Sequence, residues 1–155
     1  MGAVEAQPGL TGGCQCGAVR YRLDVEPRGV NVCHCRMCQK ATGGPFMVSG
    51  TVPIDRLAWT RGSPKIFASS AIAERGFCAE CGTPLTYRLI GRDRISVTIG
   101  SLDEPAAVAP TIQYGVESKL PWLGGMLDLP AQKTSDWMKL DASALGSRQH
   151  PDHDT

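Results

Sequence analysis

The sequence predicts an all-β domain built of small antiparallel sheets. Short segments rich in β-branched and aromatic residues recur between glycine, proline and aspartate turns. No window has the 3.6-residue periodicity of a long amphipathic helix. Two separated cysteine pairs are spaced to bind one metal ion between them, which would fasten the sheets together.

The first strand is predicted over residues 18–25, where apolar side chains alternate with polar or charged ones. Its apolar positions are Val19, Tyr21, Leu23 and Val25. Further strands are predicted at 46–52, 57–60, 65–68, 74–77, 85–89, 94–99 and 111–114. Polar turns separate them at close intervals, which is typical of hairpins.

The chain of 155 residues is the right size for one domain, which we place at residues 12–130. Residues 1–11 are expected to be a flexible lead-in, and residues 131–155 a polar C-terminal extension. We expect residues 147–155 to fray, which makes His150 and His153 poor candidates for catalysis. Exposed edge strands in such a domain can support a homodimer.

Charge and hydropathy exclude several classes of partner. Sixteen basic and fifteen acidic residues leave a formal charge of +1, so we expect no nucleic-acid surface. No apolar stretch is long enough for a membrane span, and the first residues lack the pattern of a secretory signal. The sequence therefore predicts a cytoplasmic protein, and a reducing compartment favours metal-binding thiolates over disulfides.

The seven cysteines fall into a set of four and a set of three. A structural zinc site is closed by four protein ligands, whereas a catalytic site has three and leaves a position for water or substrate. The pairs Cys14/Cys16 and Cys78/Cys81 can form the closed site, and the CHCRMC segment at residues 33–38 can form the open one. The alternative of a disulfide framework suits small secreted chains, which this one does not resemble.

The open site is predicted from Cys33, Cys35 and Cys38. The first two point to the same face of an extended segment, and the third joins them if the chain makes one helical turn. His34 then faces away from the ion, so a role in packing or in support of the ligands is favoured over that of a fourth ligand.

Six motifs in this order make the chain resemble the glutathione-dependent formaldehyde-activating enzyme family, also called the centromere protein V family. They are residues 13–21 (GCQCGAVRY), 33–38 (CHCRMC), 69–70 (SS), 75–83 (RGFCAECGT), 100–103 (GSLD) and 117–122 (ESKLPW). The resemblance implies a β-tent fold with two zinc ions per chain. It also implies that the cysteine quartet holds a structural zinc and that the trio holds the catalytic one.

The activity implied by the resemblance is a carbon-sulfur lyase reaction that forms S-(hydroxymethyl)glutathione from glutathione and formaldehyde. A thiolate-rich zinc is better suited to holding a substrate thiol beside an aldehyde than to hydrolysis. The alternatives are a non-catalytic zinc-binding module and an enzyme of the same fold that acts on another small thiol adduct.

Four residues are candidates for binding the substrate: Arg36, Arg75, Gln113 and Trp122. The two arginines, and Lys40 with them, can offset the charge of the trio or hold a substrate carboxylate; each can also be an ordinary surface cation. Gln113 stands where many relatives have a histidine, so it bears on substrate identity. Trp122 can edge a pocket or close the core.

Overall fold

The structure is a computed structural model that describes residues 9–139 and 142–155. Its ten strands are β1 (Leu10–Gly13), β2 (Arg20–Leu23), β3 (Arg28–Cys33), β4 (Met47–Pro53), β5 (Leu57–Arg61), β6 (Lys65–Ala68), β7 (Ala73–Phe77), β8 (Pro84–Leu89), β9 (Arg94–Thr98) and β10 (Ile112–Tyr114). The two α-helices are α1 (Arg36–Thr42) and α2 (Thr134–Met138). Short 3-10 helices lie at Ile54–Arg56, Ile99–Ser101, Pro105–Ala107, Val116–Ser118, Pro121–Asp128 and Ala142–Leu145. Within the described ranges, no helix has the length and apolar character needed to cross a membrane.

The strands form two sheets, which confirms the mostly-β prediction. One has three strands in the order β1-β2-β5, and the other has seven in the order β10-β3-β4-β9-β8-β7-β6. The pairs are antiparallel except β10 with β3, which run parallel with Tyr114 opposite Cys33. The all-antiparallel prediction is wrong at this point, because residues 99–111 cross over to the far edge of the sheet and approach β3 from the same direction.

The hydrophobic core contains side chains from both sheets. Tyr21 and Leu23 of β2 are fully buried, as are Val52 of β4 and Val97 of β9. The Tyr21 hydroxyl is satisfied by Ser101 Oγ at 2.7 Å, so a polar group is buried here without loss of its hydrogen bond. The alternating pattern of β2 therefore predicts the core face correctly as far as Leu23.

Two segment boundaries differ from the sequence prediction. β1 begins at Leu10 and pairs with Leu23 of β2, so the ordered fold starts two residues earlier than expected. Residues 1–8 of the predicted lead-in lie outside the described residues. Val25 continues the alternating pattern but lies beyond the end of β2 and is 37% exposed. Hydrophobic alternation alone does not reveal where a strand loses its partner.

Residues 147–155 do not fray as their polar composition predicts. The backbone N–H of His150 donates to the Gln15 carbonyl at 2.7 Å. Arg22 of β2 pairs with Asp154 at 2.8 Å. These contacts join residues more than 130 positions apart, and composition carries no signal for them. The C-terminal segment thus packs beside the first cysteine pair.

Candidate metal centre

Four cysteines from two distant segments meet in the structure. The Sγ atoms of Cys14, Cys16, Cys78 and Cys81 all lie within 4.8 Å of one another. Cys14 Sγ is 3.6 Å from Cys16 Sγ, which is 3.9 Å from Cys78 Sγ. Four sulfurs at about 2.3 Å from a tetrahedral zinc are about 3.8 Å apart. The quartet therefore has the donor set and the spacing of a closed zinc site.

Tight turns aim each pair of thiols. In the first turn the N–H of Gly17 donates to the Cys14 carbonyl, and the N–H of Val19 donates to Cys14 Sγ at 3.2 Å. In the second the N–H of Gly82 donates to the Cys78 carbonyl. Gly82 has φ of +78°, a conformation that glycine adopts at little cost. The glycines that follow both pairs are thus part of the metal-site geometry.

The remaining three cysteines form a second cluster at the junction of β3 and α1. Cys33 ends β3, Cys35 is the N-cap of α1, and Cys38 lies in its first turn. Their Sγ atoms lie within 4.8 Å of one another. The N–H of Cys38 donates to Cys35 Sγ at 3.4 Å, so the cysteine caps the helix while it faces its partners. This is the helical turn that the CxxC spacing predicts.

All seven cysteines are free thiols in the structure, in two clusters of four and three. Burial raises the pKa of Cys38 to about 12, although the adjacent Arg75 lowers it. Burial also raises the pKa of Cys35, but hydrogen bonds from the Cys38 amide and thiol outweigh it, so the pKa of Cys35 lies below its ordinary value. The trio therefore depends on neighbouring donors to hold negative charge.

Arg75 of β7 supplies a cation to the trio. Its side chain is 8% exposed, and Nη2 donates to Cys38 Sγ at 3.4 Å. Nε donates to Ser69 Oγ at 3.0 Å, and the guanidinium lies over the Tyr87 ring with its carbon 5.0 Å from the centroid. A buried cation in this position offsets the charge of thiolates. One of its donors is directed to a cysteine sulfur, so Arg75 is placed to neutralise charge at Cys38.

His34 packs behind the trio. It is 2% exposed, lies edge-on to Phe46, and bonds through Nε2 to Gln113 Oε1 at 2.9 Å. Its backbone N–H donates to the Tyr114 carbonyl at 2.9 Å. His34 is absent from the clustered donor atoms among the described residues. The packing role predicted for this histidine is therefore the one that the structure gives it.

Arg36 and Trp122, which are far apart in sequence, line one cavity of ≈ 420 Å³. We call this cavity the α1 groove; its lining residues are Arg36, Gln39, Lys40, Gly43, Gly44, Pro45, Leu120 and Trp122. Trp122 is 55% exposed, so the alternative that it closes the core is wrong. Two cations of α1, the helix that carries Cys38, thus line the groove together with one aromatic ring.

Two residues near the trio were not singled out by the sequence analysis. Gln39 is 4% exposed and donates through Nε2 to the carbonyls of His34 at 2.7 Å and Ser118 at 3.0 Å. Gly115 has φ of +63°, and a Cβ there would lie 2.7 Å from Cys35 N. A glycine two residues before Glu117 of the Glu-Ser motif is a usable signal for a close approach, whereas a glutamine on a short helix is not.

A comparison with models of protein families assigns the chain to a family. The model described as glutathione-dependent formaldehyde-activating enzyme matches residues 9–118. The chain belongs to this family. The match includes both cysteine clusters, Arg75 and the Glu-Ser motif, so the family relationship covers the residues that build the site.

Curated relatives agree with this assignment. A Talaromyces marneffei protein named "Putative glutathione-dependent formaldehyde-activating enzyme" is 32% identical over 57% of this chain and 51% of its own length. An uncharacterised lyase of Schizosaccharomyces pombe is 32% identical over 52% of this chain and 58% of its own length. The chain spans about half the length of these relatives.

A solved structure of a Rhodobacter sphaeroides protein is similar to this fold. Its TM-score is 0.52 at 20% sequence identity, and the alignment covers 66% of this chain and 98% of the other. At that identity the likeness bears on the fold alone.

Proposed function

We propose that this chain is a zinc-dependent carbon-sulfur lyase that forms S-(hydroxymethyl)glutathione from glutathione and formaldehyde. In this reaction the thiol sulfur bonds to the aldehyde carbon, and the thiol proton goes to the carbonyl oxygen. The observation that carries the proposal is a three-cysteine cluster with a buried arginine on one of its sulfurs. Family membership supports it, because the formaldehyde-activating activity gives the family its name.

We propose Cys33, Cys35 and Cys38 as ligands of the catalytic zinc, and Cys14, Cys16, Cys78 and Cys81 as ligands of a structural one. The donor sets support this division, since three ligands leave a metal open to substrate and four close it. When bound at the trio, zinc would supply a soft Lewis acid that favours the thiolate form of the substrate.

The protein's own residues would hold and orient the substrate. Arg75 offsets negative charge at Cys38, which favours the approach of a further anionic sulfur. Arg36 and Trp122 line the α1 groove, where a cation and an aromatic ring suit a carboxylate and an extended peptide-like chain. With the thiol held in this way, proximity to the aldehyde supplies much of the rate.

The domain bounds, the fold, the location and the oligomeric state are also part of this proposal. We propose that the zinc domain, expected at residues 12–130 and extended by β1 to Leu10, has the β-tent fold of the family, and that residues 131–155 are an extension. The quartet would then join the turn before β2 to the turn after β7. A cytoplasmic location suits the free thiols, and the exposed β6 edge suits a homodimer.

The test is the rate at which free and formaldehyde-bound glutathione interconvert, measured by NMR exchange spectroscopy with zinc-loaded protein. We expect the wild type to accelerate exchange and Cys35→Ser to lose both the acceleration and one of two zinc ions. No acceleration by wild-type protein with two zinc ions per chain would refute the lyase proposal. Acceleration that survives Cys35→Ser would place the chemistry outside the trio.

A further inference from the structure

The amide oxygen of Gln113 accepts hydrogen bonds from two side chains. Its Oε1 accepts from His34 Nε2 at 2.9 Å and from Lys119 Nζ at 3.1 Å. An amide oxygen has two lone pairs, so both bonds can form together. Because an oxygen only accepts, the hydrogen in the first bond belongs to His34 Nε2. A neutral histidine offers one acceptor nitrogen, so a histidine at position 113 would not serve both donors.

Through Gln113, the exposed Lys119 ammonium is linked by hydrogen bonds to His34. His34 lies between Cys33 and Cys35 in sequence and is 2% exposed. Its backbone carbonyl accepts from Gln39 Nε2, which also donates to the Ser118 carbonyl. Gln39 and Gln113 therefore each join His34 to the segment that carries Lys119.

Lys119 is a third cation, and it directly precedes a residue that lines the α1 groove. Leu120, the next residue, lines the groove together with Arg36 and Lys40. No aspartate or glutamate is among the described residues that line it. Within the described part of the chain, no ion pair involves these three cations. The groove thus presents positive charge that no protein carboxylate balances.

We propose that Lys119 is a specificity-determining residue that binds a carboxylate of the thiol substrate, and that Gln113 is the residue that positions it. The site would then select thiols that carry carboxylates over neutral thiols of similar reactivity. This inference rests on the proposed function only in placing the thiol sulfur at the trio. It gives the glutamine at position 113 a physical role: the tethering of Lys119.

The test is equilibrium binding of two thiols to the zinc-loaded full chain, measured by titration calorimetry at low and high salt. Glutathione carries two carboxylates, and 2-mercaptoethanol carries none. For Lys119→Met we expect glutathione binding to weaken about fivefold, the factor of an exposed charge pair, and to lose part of its salt dependence. Binding of 2-mercaptoethanol should not change. Lys133→Met, which alters an exposed lysine before α2, is the matched control.

The Gln113→His variant tests whether Gln113 positions Lys119 or contacts the substrate itself. We expect it to weaken glutathione binding as Lys119→Met does, and the double variant to be no weaker than either, because both changes remove one interaction. Zinc content, measured on each sample, must stay at the wild-type value. Additive losses in the double variant would overturn the positioning role of Gln113.

Three results overturn the specificity proposal itself. The first is unchanged glutathione binding in Lys119→Met, and the second is no measurable glutathione binding by the wild type. The third is an equal loss for both thiols, because Lys119 would then act on the metal centre instead of on a carboxylate. Selective glutathione binding without any exchange catalysis would refute the lyase reaction and leave this inference standing.

Discussion

Replacing Arg75 with methionine tests the charge balance at the trio. Methionine keeps an unbranched apolar side chain but removes the donors to Cys38 and Ser69. The guanidinium is buried, so water does not replace its charge easily. We expect the trio to bind zinc more weakly while the quartet keeps its affinity.

The size of the expected loss of zinc affinity follows from the contact between Arg75 and Cys38. Two unit charges 4 Å apart attract by about 4 kcal/mol at an effective dielectric constant of 20. Nη2 is 3.4 Å from Cys38 Sγ, but the guanidinium charge is spread over three nitrogens. We therefore take about half of that value, ~2 kcal/mol, which is about a 30-fold loss of metal affinity.

The assay is competition for zinc with a chelator of known affinity, followed until both metal sites are emptied. Arg75→Lys keeps the charge without the full set of donors and should recover part of the affinity. Arg88→Met is the matched control, because Arg88 lies on the neighbouring strand β8 and pairs with Glu74 at 3.6 Å. Wild-type affinity at the trio in Arg75→Met, or an equal loss in Arg88→Met, would show that Arg75 does not balance the cysteine charge.

Three further predictions concern the packing around the site. Gly115→Ala places a Cβ 2.7 Å from Cys35 N at φ of +63°, so the trio should lose zinc while the quartet keeps it, as native mass spectrometry would show. Asp103→Asn breaks a buried ion pair with Arg20 and should cost about 3–5 kcal/mol in urea unfolding at pH 7. Burial raises the pKa of Asp103, but the hydrogen bonds from Arg20 and Thr11 and the Arg20 charge together outweigh burial and hold that pKa below the ordinary value. The stability that the ionised Asp103 contributes is complete above its unfolded pKa of about 3.9 and is lost as pH falls through its lower pKa in the folded protein. The difference in unfolding free energy between wild type and Asp103→Asn should therefore narrow in acid. Removal of residues 149–155 should speed amide exchange in β2 but not in β9; equal protection of β2 in both proteins would contradict the observed docking.

The strands and both cysteine clusters could be predicted from the sequence because their signals are local. Alternation of Val19, Tyr21 and Leu23 requires only a strand with one buried face. The spacing of Cys35 and Cys38 requires only one helical turn. Such patterns depend only on neighbouring residues, so they can be recognised without knowledge of the fold.

The features that escaped prediction depend on contacts between distant segments. The parallel pairing of β10 with β3 follows from a crossover that no local pattern encodes. The role of Gln39 follows from the approach of Ser118, 79 residues away. The docking of His150 on Gln15 is of the same kind. Polar side chains that join remote segments have no periodicity, and so the sequence does not reveal them.

The central claim is that the trio is open to a substrate thiol and the quartet is closed. The most direct measurement is the absorption spectrum of protein loaded with two cobalt ions, titrated with glutathione, because thiolate-to-cobalt bands report each added sulfur ligand. We predict that one of the two ions gains a sulfur and that Cys33→Ser abolishes this response. A spectrum that glutathione leaves unchanged, or a response that Cys33→Ser leaves intact, would contradict the claim.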